Sequence, residues 1–266
     1  MYNLHGLIIG IMRVIITTRH VLLHSVPTII AKLGLVINEI SRNPSNPKFN
    51  HFVFESLAAL VQFSCTNPAY VCEFEKLMID PFTRVLSIGV AEFMPYVFQI
   101  LAQLLNANQG GDHGIPTFYK DMLTPILQPV LWESNGNVPA LVGLLNAYLS
   151  KDYRRIVEQG QLPSFFGISQ KLIASRNLDN YGIDVLLSVF THVDKNSLES
   201  YVKNVVVMLL TRLHTVKSAK FSKLFLKFVV GILRVRVNSG EFKYSSDEIV
   251  TWIDSVQPGY QYIFKC

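Results

Sequence analysis

Clusters of Pro, Asn and Gly interrupt this chain near residues 43–47, 66–68, 108–116, 134–137, 159–163, 177–182, 194–197 and 215–218. Gly and Pro are the strongest local breakers of regular structure. Between the clusters lie stretches of roughly 12–18 residues whose apolar side chains recur at helical spacing. No strand-like alternation is sustained. Every second stretch begins near residues 51, 93, 138, 179 and 219, at intervals of 42, 45, 41 and 40 residues.

A period of about 40–47 residues with two helices in each period is the pattern of HEAT or armadillo arrays. One such hairpin cannot bury its apolar faces alone, so neighbours must stack. The expected fold is therefore all-α: a right-handed α-solenoid of about five to six HEAT-like helical hairpins. The expected organisation is a single array over residues 1–266, with repeats at 25–66, 68–107, 116–150, 162–193 and 196–237 and partial ones at 1–24 and 245–266.

The stretch RNPSNPKF shows the punctuation at work. Proline lacks an N–H and disfavours helical geometry in the residue before it. Asn43-Pro44 therefore ends one helix, and Pro47 opens the next, where a missing donor does little harm. Pro95 and Pro139 fall within the first turns of their expected helices for the same reason. A plain helical bundle is the alternative that would also explain these prolines. Asn196 and Glu199 have the spacing of a capping box at the head of a helix. In that helix residues 198, 201, 202, 205, 206, 209 and 213 form one apolar face. In the following helix Phe221, Leu224, Phe225, Phe228, Val229 and Ile232 do the same.

Half of the chain is apolar and only 16% is charged. A membrane span needs about 18 or more consecutive apolar residues. Gly6–Met12 stops at Arg13, Phe93–Leu105 carries Pro95, Gln99 and Gln103, and Val205–Leu210 is short, so no membrane insertion is expected. Cys65, Cys72 and Cys266 are sparse and odd in number, and Asn43-Pro44-Ser45 is spoiled as a glycosylation sequon by its proline. The N-terminus lacks a basic leader and a small-residue cleavage site. A reduced, intracellular setting follows.

No nucleotide-binding glycine motif, zinc-protease motif or nucleophile elbow is present, and the chain is expected not to be an enzyme. Gly110-Gly111-Asp112-His113-Gly114 follows no strand and reads as a linker. Cys65 and Cys72 read as small apolar fillers at helix packing positions. His20 and His24 share one helix face but have no further ligands nearby, so neither metal nor cofactor is expected. Trp132 and Trp252 read as core.

The net charge of +5 is unevenly placed. Between Tyr201 and Lys243 stand nine basic residues, with Glu241 the only acid. Lys220, Lys223 and Lys227 step along one helix face, and like charges so placed repel one another. Arg212, Lys217, Lys220, Lys223 and Lys227 are the candidate partner-binding residues, forming a basic strip for an acidic surface. A solvated outer face is the alternative. Repeat proteins that read RNA place two or three reading side chains at fixed positions in every repeat. No such recurrence exists here, so nucleic acid is not the expected partner.

Several segments resemble the importin-α re-exporters of the CAS type, within the importin-β-like karyopherins. They are NPSNPKFNHFVFES (43–56), EFMPYVFQILAQLL (92–105), LQPVLWESNGNVPALVGLLNAYL (127–149), ISQKLIAS (168–175) and LLTRLHTVKSAKFSKLFLKF (209–228). The matches are in order and cover most of residues 1–235. The resemblance implies a HEAT-repeat exportin that binds RanGTP and importin-α in the nucleus and returns importin-α to the cytoplasm. Release follows hydrolysis of GTP on Ran. Nucleoporins are a further partner class it implies, and shuttling through nuclear pores is the implied location. Nothing in the chain resembles the family's N-terminal region, so it reads as a middle to C-terminal fragment. No contact residue is carried over. A HEAT scaffold without a transport role and a helical-repeat RNA-binding protein are the alternative readings.

Overall fold

The computed structural model describes residues 25–65, 67–109, 114–237 and 239–257, together with Gly10 and Val14. Among these are eleven α-helices: α1 (Val26–Arg42), α2 (Pro47–Ser64), α3 (Pro68–Ile88), α4 (Met94–Ala107), α5 (Thr117–Ile126), α6 (Val138–Glu158), α7 (Leu162–Ala174), α8 (Asp179–His192), α9 (Lys195–Val216), α10 (Ala219–Leu233) and α11 (Ser246–Val256). A short 3₁₀ turn, Pro129–Trp132, precedes α6. The one isolated β-bridge among the described residues joins Arg236 to Phe242. None of the described helices is long and apolar enough to cross a membrane.

Local chemistry sets the helix starts. Asn46 Oδ1 accepts the Phe49 N–H at 3.2 Å, with Pro47 at the first helical position of α2. Asn67 Oδ1 does the same for Ala69 ahead of Pro68 in α3, at 3.0 Å. Pro95 and Pro139 sit in the first turns of α4 and α6, as their sequence context requires. The capping box expected at Asn196 is displaced. Asp194 is the cap of α9, accepting the Ser197 N–H at 2.9 Å, and Asn196 lies inside the helix. A carboxylate at a helix N-terminus also gains from the dipole, which an amide does not. A capping box does occur at α11, where Ser245 Oγ accepts from the Glu248 N–H and Glu248 Oε2 accepts from the Ser245 N–H.

The chain packs as two compact units. The first comprises the described residues of Met1–Ile126 with Pro139–Ala147. In it α1 pairs with α2 and α3 with α4, and the hairpins stack α1 on α3 and α2 on α4. Gly34 permits the close approach of α1 to α3, since a Cβ there would lie 3.0 Å from Met78 Cε and 3.5 Å from Pro81 Cγ. Phe54, Phe74, Phe82, Phe93 and Phe98 fill this core. Glu75 is buried beside them; its carboxylate accepts from Asn108 Nδ2 at 3.0 Å, and burial raises its pKa.

The second unit comprises Leu127–Val138 and the described residues from Tyr148 onward. Hairpins α7/α8 and α9/α10 stack α8 against α10 and α7 against α9, and α11 closes on α9. Gly182 is the contact point of α7 and α8: a Cβ there would fall 2.6 Å from Ile173 Cγ1 and 2.8 Å from the Ser169 carbonyl. Phe165, Phe190, Phe221 and Tyr244 are wholly buried. Stacked helical hairpins are what the 40-odd-residue period requires.

Two expectations need correction. Cys72 is exposed, so the packing role expected of both thiols falls to the half-buried Cys65 alone, whose thiol burial pushes up to about 12. The chain also breaks at Gly89, which ends α3 in the left-handed region (φ 73°), a stop missed because Pro and Asn are absent there. Conversely, Pro81 and Pro125 lie inside helices. Trp132 is buried as expected, and Trp252 packs edge-on against Tyr244 and Phe190. Gly110–His113, His20, His24 and Cys266 lie outside the described residues.

Candidate partner-binding surface

The five basic residues singled out in the sequence lie on α9, on the turn after it and on α10, and the fold gives them different neighbours. Lys217 ends α9 in the left-handed region (φ 43°, ψ 39°), with its N–H donating to the Leu213 carbonyl at 3.2 Å. Lys220 Nζ donates to Asp179 Oδ1 at 2.5 Å and to the Arg176 carbonyl at 2.6 Å. Lys227 Nζ donates to Asp184 Oδ1 at 2.5 Å. Both aspartates belong to α8. The Asp179 side chain is only 4% exposed, so Lys220 neutralises a buried carboxylate; Asp184 is 32% exposed. Isolated exposed pairs contribute about 0–1 kcal/mol, but leaving a buried charge without its partner is far more damaging. Lys217 and Lys223 make no ion pair among the described residues.

The acids are missing from the sequence window because they stand one repeat earlier. Lys220 and Asp179 are 41 residues apart, and Lys227 and Asp184 are 43 apart. Opposite charges separated by one period were the available signal. The basic strip is thus partly an inter-hairpin seam. Its charge is offset on the α8 side and left unpaired at Lys217 and Lys223.

Arg212 faces elsewhere. It lines a groove of about 690 Å³ between α7 and α9, with Pro163, Phe166, Gly167 and Gln170 on one wall and Tyr201, Val207 and Met208 on the other. Phe166 and Tyr201 stack with ring centroids 4.7 Å apart. Arg212 Nε and Nη2 are shut off from solvent and have no acceptor among the described residues. Its guanidinium carbon lies 5.9 Å from the Phe221 ring centroid, a long cation–π contact.

A second concavity of about 770 Å³ in the same unit gathers Arg154, His192, Arg234, Arg236 and Lys243 around a single acid, Asp194. Asp194 already caps α9, and the Ser197 N–H holds its carboxyl below the ordinary value. Lys243 donates to the carbonyls of Phe190, Thr191 and Val193 at the end of α8, and burial lowers its ammonium to about 8. Burial, with Lys243 nearby, also lowers His192. Arg236 lies over the Phe242 ring at 4.1 Å. Arg154, far upstream in sequence, was not foreseen as part of a basic cluster.

Amphipathic helices paired into stacked hairpins, with grooves left between neighbours, define a helical-repeat protein of the HEAT class. Residues 7–265 match the family described as "CAS/CSE protein, C-terminus". The chain belongs to this CAS/CSE family. It is 39% identical over 236 residues to Exportin-2 of Oreochromis niloticus, covering 88% of this chain and 23% of that protein. To Homo sapiens Exportin-2 it is 36% identical over 252 residues, covering 94% and 25%. To the importin-alpha re-exporter of Schizosaccharomyces pombe it is 34% identical over 251 residues, again covering 94% and 25%. The solved structure of the exportin Cse1 in its cargo-free, cytoplasmic state matches with a TM-score of 0.85 at 32% identity, covering 97% of this chain and 26% of that one. The chain thus spans about a quarter of the length of the relatives it matches.

Proposed function

We propose that this chain serves as part of a nuclear exportin that binds RanGTP and importin-α and returns importin-α from nucleus to cytoplasm. The observation that carries this reading is identity of 34–39% over at least 88% of the chain to proteins named Exportin-2 and importin-alpha re-exporter. On this reading the chain binds other proteins but catalyses no reaction, works while shuttling through nuclear pores, and touches nucleoporins only in passage. Its contribution is surface. The cations without an internal partner, Lys217 and Lys223, together with Arg234 and Arg154 at the second concavity, meet acidic surface on importin-α or Ran. Lys220 and Lys227 act one step back, holding α10 against α8.

A chimera tests the proposal. Residues 1–266 replace the matching segment of the Schizosaccharomyces pombe importin-alpha re-exporter, and RanGTP-dependent capture of importin-α is measured. Retained, GTP-dependent capture is the expected result. A chimera that is folded by circular dichroism but captures neither protein would overturn the proposal. Lys223→Glu in the chimera is expected to weaken capture and flatten its salt dependence.

A further inference from the structure

The groove between α7 and α9 is built differently from the other inter-helix seams of its unit. Its α7 wall follows residues 163, 166, 167, 170, 173 and 174, the spacing of one helix face. Eleven residues of rise make it roughly 17 Å long, about three turns of helix. Gly167 opens it: a Cβ there would meet nothing within 4 Å. Val207 is 41% exposed on the opposite wall. The lining contains apolar and uncharged polar side chains and one charge, Arg212, with no acid.

That single charge decides the occupant. Arg212 is half-buried, with Nε and Nη2 buried and without an acceptor among the described residues, so its charge is not offset internally; a carboxylate meeting the remaining nitrogen, Nη1, would offset it. We propose that the groove seats an amphipathic helical segment of a protein partner, with apolar side chains between Phe166 and Met208 and a carboxylate on Arg212. A second copy of this chain is a poorer fit, because the chain is itself basic, at +5. The proposal relies on the exportin reading only for the partner being a protein.

The test uses the intact chain and two fluorescent helical peptides. One carries Leu at i, i+3, i+4 and i+7 with Glu at the flanking positions; the other has Gln in place of every Glu. The Glu peptide is expected to bind at least about tenfold more tightly than the Gln peptide. Arg212→Met should erase that difference. Gly167→Met, whose Cβ would meet nothing within 4 Å, narrows the groove and should weaken both peptides without lowering the melting temperature. Equal affinity of the two peptides, absence of binding, or undiminished binding by folded Gly167→Met would each overturn the proposal. So would a self-associated species, seen by sedimentation, that Gly167→Met dissolves, because the groove would then belong to a second copy. The readout does not involve importin-α or Ran, so this inference and the exportin chimera can fail separately.

Discussion

The two hairpins α7/α8 and α9/α10 meet along two seams, and the seams have opposite character. The α8–α10 seam is closed. Phe190 and Phe228 meet edge to face at 5.3 Å, two lysines reach across to two aspartates, and Leu187 fills the space over Gly231. The α7–α9 seam touches through Phe166 and Tyr201 and then parts into a groove holding an unsatisfied arginine. The same pair of hairpins thus closes one seam and leaves the other open. In a repeat array each hairpin has only its neighbours to bury it, so closing one seam firmly is what allows the other to stay open.

Aromatic truncation should separate the seams most clearly. Phe228→Ala at the closed seam is expected to lower the unfolding free energy by about 3–5 kcal/mol, because a buried ring leaves a cavity. Phe166→Ala at the open seam should lower it by only about 1 kcal/mol, the scale of a partly exposed aromatic pair. Urea denaturation of both variants measures the contrast, and equal losses would erase it.

Removing single lysines sharpens the same contrast at smaller scale. Lys220→Met strands the buried Asp179 carboxylate, and about 1–3 kcal/mol of stability should go with it. Lys223→Met, one turn away and without an acid partner, should change stability by less than about 0.5 kcal/mol. A joint reversal of Lys220, Lys223 and Lys227 would therefore mix unfolding with lost binding, whereas Lys223 alone reports on binding.

A pH dependence comes from Lys243, which lies between α10 and α11 and donates to the carbonyls at the end of α8. Burial depresses its ammonium to about 8 from the ordinary 10.5. Between those values the unfolded chain holds the proton that the folded chain has released. Stability contributed by this group therefore rises with pH across that window. Between about pH 8 and 10 the denaturation midpoint of the parent chain should therefore gain on that of Lys243→Met, a difference in which the opposing contribution of the buried Cys65 thiol cancels. The effect is expected to be the smallest of the three, because the side chain is only half-buried.

Much of this was legible in the sequence, and the failures have physical causes. Helix starts expected at 93, 138, 179 and 219 fall within a residue of those observed, because proline and side-chain caps act over one turn. The register mark near 51 fell late, whereas the reading of Pro47 as the opening of that helix holds for α2. Pro81 stands inside α3 and not at a break, close against Gly34 of α1, so tertiary packing carries a proline within a long helix. The basic strip was correctly seen as a run of charge. Its pairing was hidden, because Asp179 and Asp184 lie 41 and 43 residues upstream of their lysines and only stacking brings them together. The groove left a trace in the run Val205–Leu210, which is apolar around more of α9 than one core face requires. Nothing in that run shows which of its residues lose their cover.

Arg212→Met, followed by urea denaturation, is the most direct test of the open seam. If the groove awaits a partner's carboxylate, replacing buried, unpaired N–H groups with a thioether should leave the unfolding free energy unchanged or raise it by about 1 kcal/mol. A loss of about 1 kcal/mol or more would mean that the guanidinium already works for the fold, and the division between a closed and an open seam would be contradicted.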